Sequence, residues 1–187
     1  MTPNHKRHIT SSGGIIDIID DVYPSYVRSE HLSYAVLSKY SMDSTTALYK
    51  LESRNKTYFQ SLLSTDELND FNFFNEYFDP LWNIIGKREI YASWILASSP
   101  LSTYYFHVDR VTKGCKTILY YVNDNWNRDW GGETLFANAQ GECEVAVEYK
   151  PGRVVIFDSD IEHKPSQISM SAVEFRLTFV AQLNCIN

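Results

Sequence analysis

The run Gly152-Arg153-Val154-Val155-Ile156-Phe157-Asp158-Ser159 is rich in β-branched and aromatic residues and is entered through the turn pair Pro151-Gly152. A short apolar run bounded by turn residues predicts a buried strand. Working outward from it, similar runs fall at 90–97, 103–108, 117–122, 133–136, 144–149 and 173–181. Turn signals part them at Ser98-Ser99-Pro100, Lys113-Gly114, Asn123-Asp124-Asn125, Gly131-Gly132 and Gly141. Many short strands at near-regular spacing predict a mostly antiparallel sandwich or barrel from residue 89 onward.

The N-terminal part has a different character. Residues 1–12 are polar, with His5-Lys6-Arg7-His8 ahead of a Gly13-Gly14 break, and predict a flexible tail over 1–14. Ile15 to Ile19 reads as a first strand, ended by Asp20-Asp21. Pro24 suits the first turn of a helix, and Tyr26, Val27, His31, Tyr34, Ala35 and Leu37 keep helical spacing to about Lys39. His31 is expected to be a half-buried structural residue on that helix. Ser64-Thr65-Asp66-Glu67 opens a second helix through its cap and its acidic first turn. Its stripe of Leu68, Phe71, Phe74, Phe78 and Leu81 is interrupted near Pro80 and closes at Gly86. Residues 41–63 carry no clear pattern. The domain reading is a tail at 1–14 and one domain over 15–187, with helical support over about 15–88 and a β core over about 89–182.

Composition sets the outer bounds. With 187 residues, 44% of them apolar and 14% aromatic, the chain has material for one packed domain. Lys and Arg number 17 against 23 Asp and Glu, and a net charge of −6 argues against nucleic acid as a partner. Cys115, Cys143 and Cys185 are odd in number and far apart, which argues against a disulfide-stapled secreted domain. No window approaches the ~20 apolar residues of a membrane span. These features predict a soluble, cytoplasmic protein with no membrane partner.

Chemistry concentrates in a few positions. His107-Val108-Asp109 closes the run 103–108, and residues two apart on a strand share a face. His163 follows the quoted run, and Arg176 lies in the alternating segment Val173-Glu174-Phe175-Arg176-Leu177-Thr178-Phe179. An inward arginine there needs an anion. Two bland arrangements also fit: an ion pair with Glu174 or a turn carboxylate, or an outward side chain. Two histidines and one carboxylate leave half of an octahedral metal open, which suits non-haem Fe(II). A zinc hydrolase could use the same three residues. A non-catalytic β-sandwich binding module, with His107 and Asp109 merely hydrogen-bonded, is a third reading. Arg176 favours a metal site whose co-substrate carries a carboxylate.

In order along the chain, these motifs resemble the Fe(II)/2-oxoglutarate dioxygenases, and within them the prolyl 4-hydroxylase branch. They are His107-x-Asp109, Ile118-Leu119-Tyr120-Tyr121-Val122-Asn123, Trp130-Gly131-Gly132-Glu133-Thr134-x-Phe136, the run 152–159, His163 and Arg176. Ile18-Ile19-Asp20-Asp21-x-Tyr23-Pro24 also resembles the opening strand and helix of that branch. The resemblance implies a mostly β fold with N-terminal helices around a double-stranded β-helix, a jelly-roll core of cupin type. It implies His107, Asp109 and His163 as catalytic, metal-binding residues holding Fe(II). It implies Arg176 and Tyr121 as the pair that binds the far carboxylate of 2-oxoglutarate, with O2 as oxidant and ascorbate in support. The implied reaction hydroxylates a C–H bond while 2-oxoglutarate becomes succinate and CO2. A prolyl residue in a peptide or protein is the implied substrate, a free amino acid or other small molecule the alternative.

Asp109, being a carboxylate, does not match the halogenases of the superfamily. One departure is the interval from His163 to Arg176, longer than usual for the branch, with residues 165–170 available to absorb it. Trp126 and Trp130, in the loop 123–131, suit either a lid or a cap on the barrel end. Tyr91, Trp94, Tyr104 and Tyr105 suit either pocket lining or packing. Arg110, Lys113 and Lys116 form a basic run that suits a solvated loop, or an acidic substrate.

Overall fold

A computed structural model describes residues 3–41 and 58–185. Two antiparallel sheets form the body. The larger has the order β1-β2-β8-β5-β10-β4-β3 and the smaller β7-β6-β9. Their strands are β1 (Asn4–Ile9), β2 (Ile15–Asp20), β3 (Phe59–Leu62), β4 (Ile90–Ser98), β5 (Lys116–Tyr121), β6 (Thr134–Ala137), β7 (Cys143–Val147), β8 (Val154–Asp158), β9 (His163–Pro165) and β10 (Arg176–Leu183). The short-strand pattern predicted an antiparallel sandwich or barrel, and the two sheets form the jelly-roll core that the resemblance implied.

The larger sheet is covered on both faces, which explains why its central strands read as unbroken apolar runs. All six residues of β5 are buried. Alternate residues serve two cores: Ile118 and Tyr120 pack with Val154, Ile156 and Phe179 on the helical side. Leu119 and Tyr121 pack with Val155, Phe157, Val180 and, from the smaller sheet, Phe136, Val145 and Val147. The second core is the inside of the barrel.

The helices are α1 (Ser25–Leu37), α2 (Thr65–Phe71) and α3 (Asp79–Ile85). The single interrupted helix expected from Ser64 to Gly86 is in fact two. Ser64 and Glu67 form a reciprocal capping box at the start of α2. Asn72 then stops it in a left-handed conformation (φ 53°), and Pro80 opens α3 in its first turn. Phe71, Phe73 and Phe78 pack on Phe179 and Tyr120 of the sheet.

His31 is fully buried on α1 rather than half-buried, edge-on to Tyr23 and Tyr120. Burial pushes its pKa down to about 4, partly opposed by the Asn72 carbonyl. The unfolded chain takes up a proton near pH 6.5 and the folded chain does not, so stability is complete above pH 6.5 and declines towards pH 4. This group alone is expected to remove about 3 kcal/mol over that window. Denaturant midpoints for wild type and His31→Leu against pH should show the variant's profile flattened. Parallel profiles would remove His31 from the account.

Residues 4–9, expected within a loose tail, form an edge strand paired with β2 from Asn4↔Asp20 to Ile9↔Ile15. The cause is Asp17, buried on β2, whose carboxylate accepts from Arg7 Nε at 2.7 Å and lies 2.7 Å from His5 Nε2. A buried carboxylate needs such partners, so the basic N-terminus becomes structural. The expected strand over 103–108 is also corrected: its residues are irregular apart from one isolated bridge at His107. Residues 42–57, most of the unpatterned stretch, lie outside the described residues, as do 1–2 and 186–187 at the ends of the tail and domain readings.

A disulfide joins Cys115 to Cys185, linking the approach to β5 with the end of β10. The odd cysteine count concealed this pair, and the pair is in tension with the expected reducing compartment. Among the described residues, no helix is long and apolar enough to cross a membrane.

Candidate active site

His107 and His163 sit side by side because their backbones form a reciprocal bridge, His107 N–H to His163 O at 3.0 Å and back at 2.9 Å. Asp109 is fixed from the same side, its N–H donating to Ser159 O at 3.0 Å. Asp109 Oδ1 thus lies 3.9 Å from His107 Nε2, and Oδ2 lies 3.7 Å from His163 Nε2. One ligand atom from each of the three residues falls within 4.8 Å of the others.

The donor chemistry fits a metal. Both imidazoles give Nδ1–H to carbonyls, His107 to Tyr105 O at 2.9 Å and His163 to Ile161 O at 3.0 Å. A carbonyl can only accept, so each ring keeps its lone pair on Nε2, facing Asp109. Burial pushes the His163 pKa down to about 4, with His107 adding to that and Asp109 opposing it. His163 is therefore neutral near pH 7, as a metal ligand must be.

Sequence reasoning missed the support behind Asp109. Thr117 Oγ1 donates to Asp109 Oδ2 at 2.7 Å and lies 2.9 Å from Ser159 Oγ, and both hydroxyl residues are fully buried. With the Thr117 proton given to the carboxylate, Ser159 must supply the next one, so the chain runs Ser159 to Thr117 to Asp109. Threonine and serine carry no motif of their own. Only the pairing of β5 with β8, which brings Thr117 opposite Phe157, places them here.

Arg176 and Tyr121 lie together at the other end of the barrel. Thr117 and Tyr121 share the inner face of β5 and are four residues apart, about 13 Å along the strand. Arg176 is 1% exposed, so an outward side chain is excluded. The ion pair with Glu174 is absent too, since Glu174 accepts from Asn123 Nδ2 instead. Arg176 donates to Gly132 O at 2.8 Å, Thr178 Oγ1 at 2.7 Å and Thr134 Oγ1 at 3.4 Å, all neutral. The Tyr121 hydroxyl meets Thr134 Oγ1 at 2.8 Å, and the Arg176 guanidinium lies over the Tyr121 and Tyr149 rings. A guanidinium buried among hydroxyls and rings, with no carboxylate among the described residues, fits a carboxylate that arrives with a ligand.

Gly132 explains how Arg176 fits so tightly. A Cβ at Gly132 would lie 3.1 Å from Arg176 Cδ, and its φ of +85° also suits glycine. Trp126 packs on Tyr149 and Trp130 at this same end and donates to Gly131 O. These contacts fit a cap on this end of the barrel. The extra residues before Arg176 run back along 130–133, with Ser166 N–H on Glu133 O, Ser169 N–H on Trp130 O and a bridge from Ile168 to Gly131. The long interval is thereby absorbed, and Arg176 enters β10 in register with Ser98. Trp94 packs on the inner core, while Tyr104 is half-buried and bonded to Ser98. Tyr105 is exposed beside His107.

Residues 94–181 match the family model of the 2OG-Fe(II) oxygenase superfamily. Among solved structures, a prolyl hydroxylase from Trichoplax adhaerens, in complex with a hypoxia inducible factor peptide fragment, superposes with TM-score 0.67 and 17% identity. That match covers 90% of this chain and 82% of the other. A prolyl-4-hydroxylase from Pseudomonas putida gives TM-score 0.65 and 15% identity, covering 90% and 92%. The non-heme alpha ketoglutarate dependent epimerase SnoN of nogalamycin biosynthesis gives TM-score 0.65 and 12% identity, covering 91% and 77%. At these identities the likeness concerns the fold. No curated protein sequence matches the chain.

Proposed function

Since residues 94–181 match the 2OG-Fe(II) oxygenase superfamily, we propose that the chain is such an oxygenase and hydroxylates a prolyl residue of a peptide or protein. Its cofactor set is that of the superfamily: Fe(II), 2-oxoglutarate and O2. In this reading His107, Asp109 and His163 hold the iron, and Arg176 with Tyr121 holds the far carboxylate of 2-oxoglutarate. Bound Fe(II) supplies the redox chemistry that couples decarboxylation of 2-oxoglutarate, to succinate and CO2, with oxygen insertion into a C–H bond. The protein's part is geometric and electrostatic. Carbonyls at residues 105 and 161 keep both histidines in the ligating tautomer, and the Thr117 hydroxyl fixes the rotation of the Asp109 carboxylate. Arg176 receives one end of the co-substrate in a dry pocket, so the other end is presented to the triad. The domain in this reading spans 15–187 together with β1.

The observation that carries the reading is the pairing of two poles in one barrel. Three converging side chains, His107 and Asp109 half-buried and His163 buried, stand at one end, and an arginine without a carboxylate among the described residues lies sealed at the other. The prolyl substrate is supported by similarity to prolyl hydroxylases in fold. Incubation with Fe(II), ascorbate, O2 and 2-oxoglutarate should release succinate slowly even without substrate. A peptide and amino-acid panel should then show stimulated release together with a mass gain of one oxygen. Failure of the anaerobic Fe(II) protein to bind 2-oxoglutarate would sink the reading, and zinc uptake with O2-independent activity would replace it by a hydrolase.

A further inference from the structure

Arg110 directly follows Asp109, and the backbone N–H groups of both donate to Ser159 O, at 3.1 and 3.0 Å. The residue is thereby anchored at the metal end of the barrel. Its side chain reaches the start of β4 and lays its guanidinium over the Tyr91 ring, 4.4 Å from the centroid. Nη1 is sealed from water and meets no acceptor. It is the one such side-chain atom among the described residues. Arg7 and Arg153 are bonded to carboxylates, Arg88 to carbonyls, and Arg176 to a carbonyl and two hydroxyls. Lys116, the neighbouring cation, is already taken by Asp158 at 2.7 Å.

A covered donor without an acceptor is costly, and a long rim side chain has water within reach as an alternative. Arg110 instead stays stacked on a ring that is itself 62% exposed and can yield. The residue as a whole is only half-buried, so an anion can approach the rest of the guanidinium. With a net charge of −6 on the chain, an acidic ligand gains no general attraction and must be held by a specific cation. We propose that Arg110 binds a carboxylate of the substrate, so that the hydroxylated carbon lies near an acidic group. This specificity role rests on the oxygenase reading above. Two sources share the chemistry: an Asp or Glu side chain next to a target proline, or the carboxylate of a free amino acid.

The full chain loaded with Mn(II) and 2-oxoglutarate, which holds the site without turnover, provides the test. Fluorescent peptide pools with a central proline, flanked by Asp/Glu, by Ala/Ser or by Lys/Arg, are titrated in low salt. Free L-aspartate, L-glutamate and L-proline are titrated separately by calorimetry. The acidic pool should bind about tenfold more tightly than the neutral one. Arg110→Gln should erase that margin, and Arg110→Glu should transfer the preference to the basic pool. Binding of a free amino acid but of no pool, lost in Arg110→Gln, supports the proposal and assigns the small-molecule source. Equal binding of the pools, a preference that survives Arg110→Gln, or no binding in either arm by protein that does bind 2-oxoglutarate overturns it. Protein that fails to bind 2-oxoglutarate at all overturns the oxygenase reading instead, and the proposal with it.

Discussion

Asp109→Ala is expected to abolish turnover and to weaken Mn(II) or Co(II) binding by two orders of magnitude or more. The carboxylate is the only anion among the three candidate ligands, lies within 4 Å of both histidines, and has no other described acid grouped with them. Its loss removes the charge that offsets a dication, and it removes the group that both Nε2 atoms face. The fold should survive, since Asp109 is bonded mainly through its backbone N–H and one hydroxyl. A graded companion comes from Thr117→Val, nearly equal in shape. It deletes the hydroxyl that orients Asp109 Oδ2 and should weaken metal binding about 10–100-fold, with Thr117→Ser restoring most of it. Titration of the apo protein followed by Co(II) absorption reads both variants without relying on turnover. Metal affinity within about twofold of wild type in Asp109→Ala would place the metal elsewhere.

How much of this was legible beforehand depends on what each residue must satisfy. β5 and β8 could be read because both faces are buried, so nearly every position is apolar and turns mark the ends. β1 could not, because it is an exposed edge strand, and what holds it is Arg7 and His5 on a carboxylate twelve or so residues away. The triad's residue types were readable from spacing and order. Their convergence was expected, but its cause was not, because it comes from a single backbone bridge between His107 and His163 in a segment with no strand of its own. The support from Thr117 and Ser159 needed strand register, which a one-residue slip would have reversed. The Cys115–Cys185 pair needed the same knowledge, since β10 ends beside the start of β5 at Leu183↔Lys116.

Arg176→Ala is expected to raise the 2-oxoglutarate requirement about a hundredfold while leaving metal affinity within a few-fold of wild type. A guanidinium shielded from water, as Arg176 is, can give a planar carboxylate two parallel charge-assisted bonds, and these are the strong kind. The two poles are separate: Arg176 touches Gly132, Thr134 and Thr178, whereas Asp109 touches Thr117 and Ser159, so damage at one should not reach the other. Stability discriminates further. Removing one partner of a buried ion pair costs about 3–5 kcal/mol, because a charge is stranded. Arg176 has no such partner here, and its removal strands only neutral groups, so a much smaller loss is expected. Arg176→Lys should recover part of the affinity, as it keeps the charge but not the fork. Mn(II) with 2-oxoglutarate should raise the unfolding temperature of wild type and leave that of Arg176→Ala close to its value with Mn(II) alone. If Arg176→Ala instead unfolds early, loses metal, or binds 2-oxoglutarate normally, the arginine serves the barrel and the co-substrate is held by other groups.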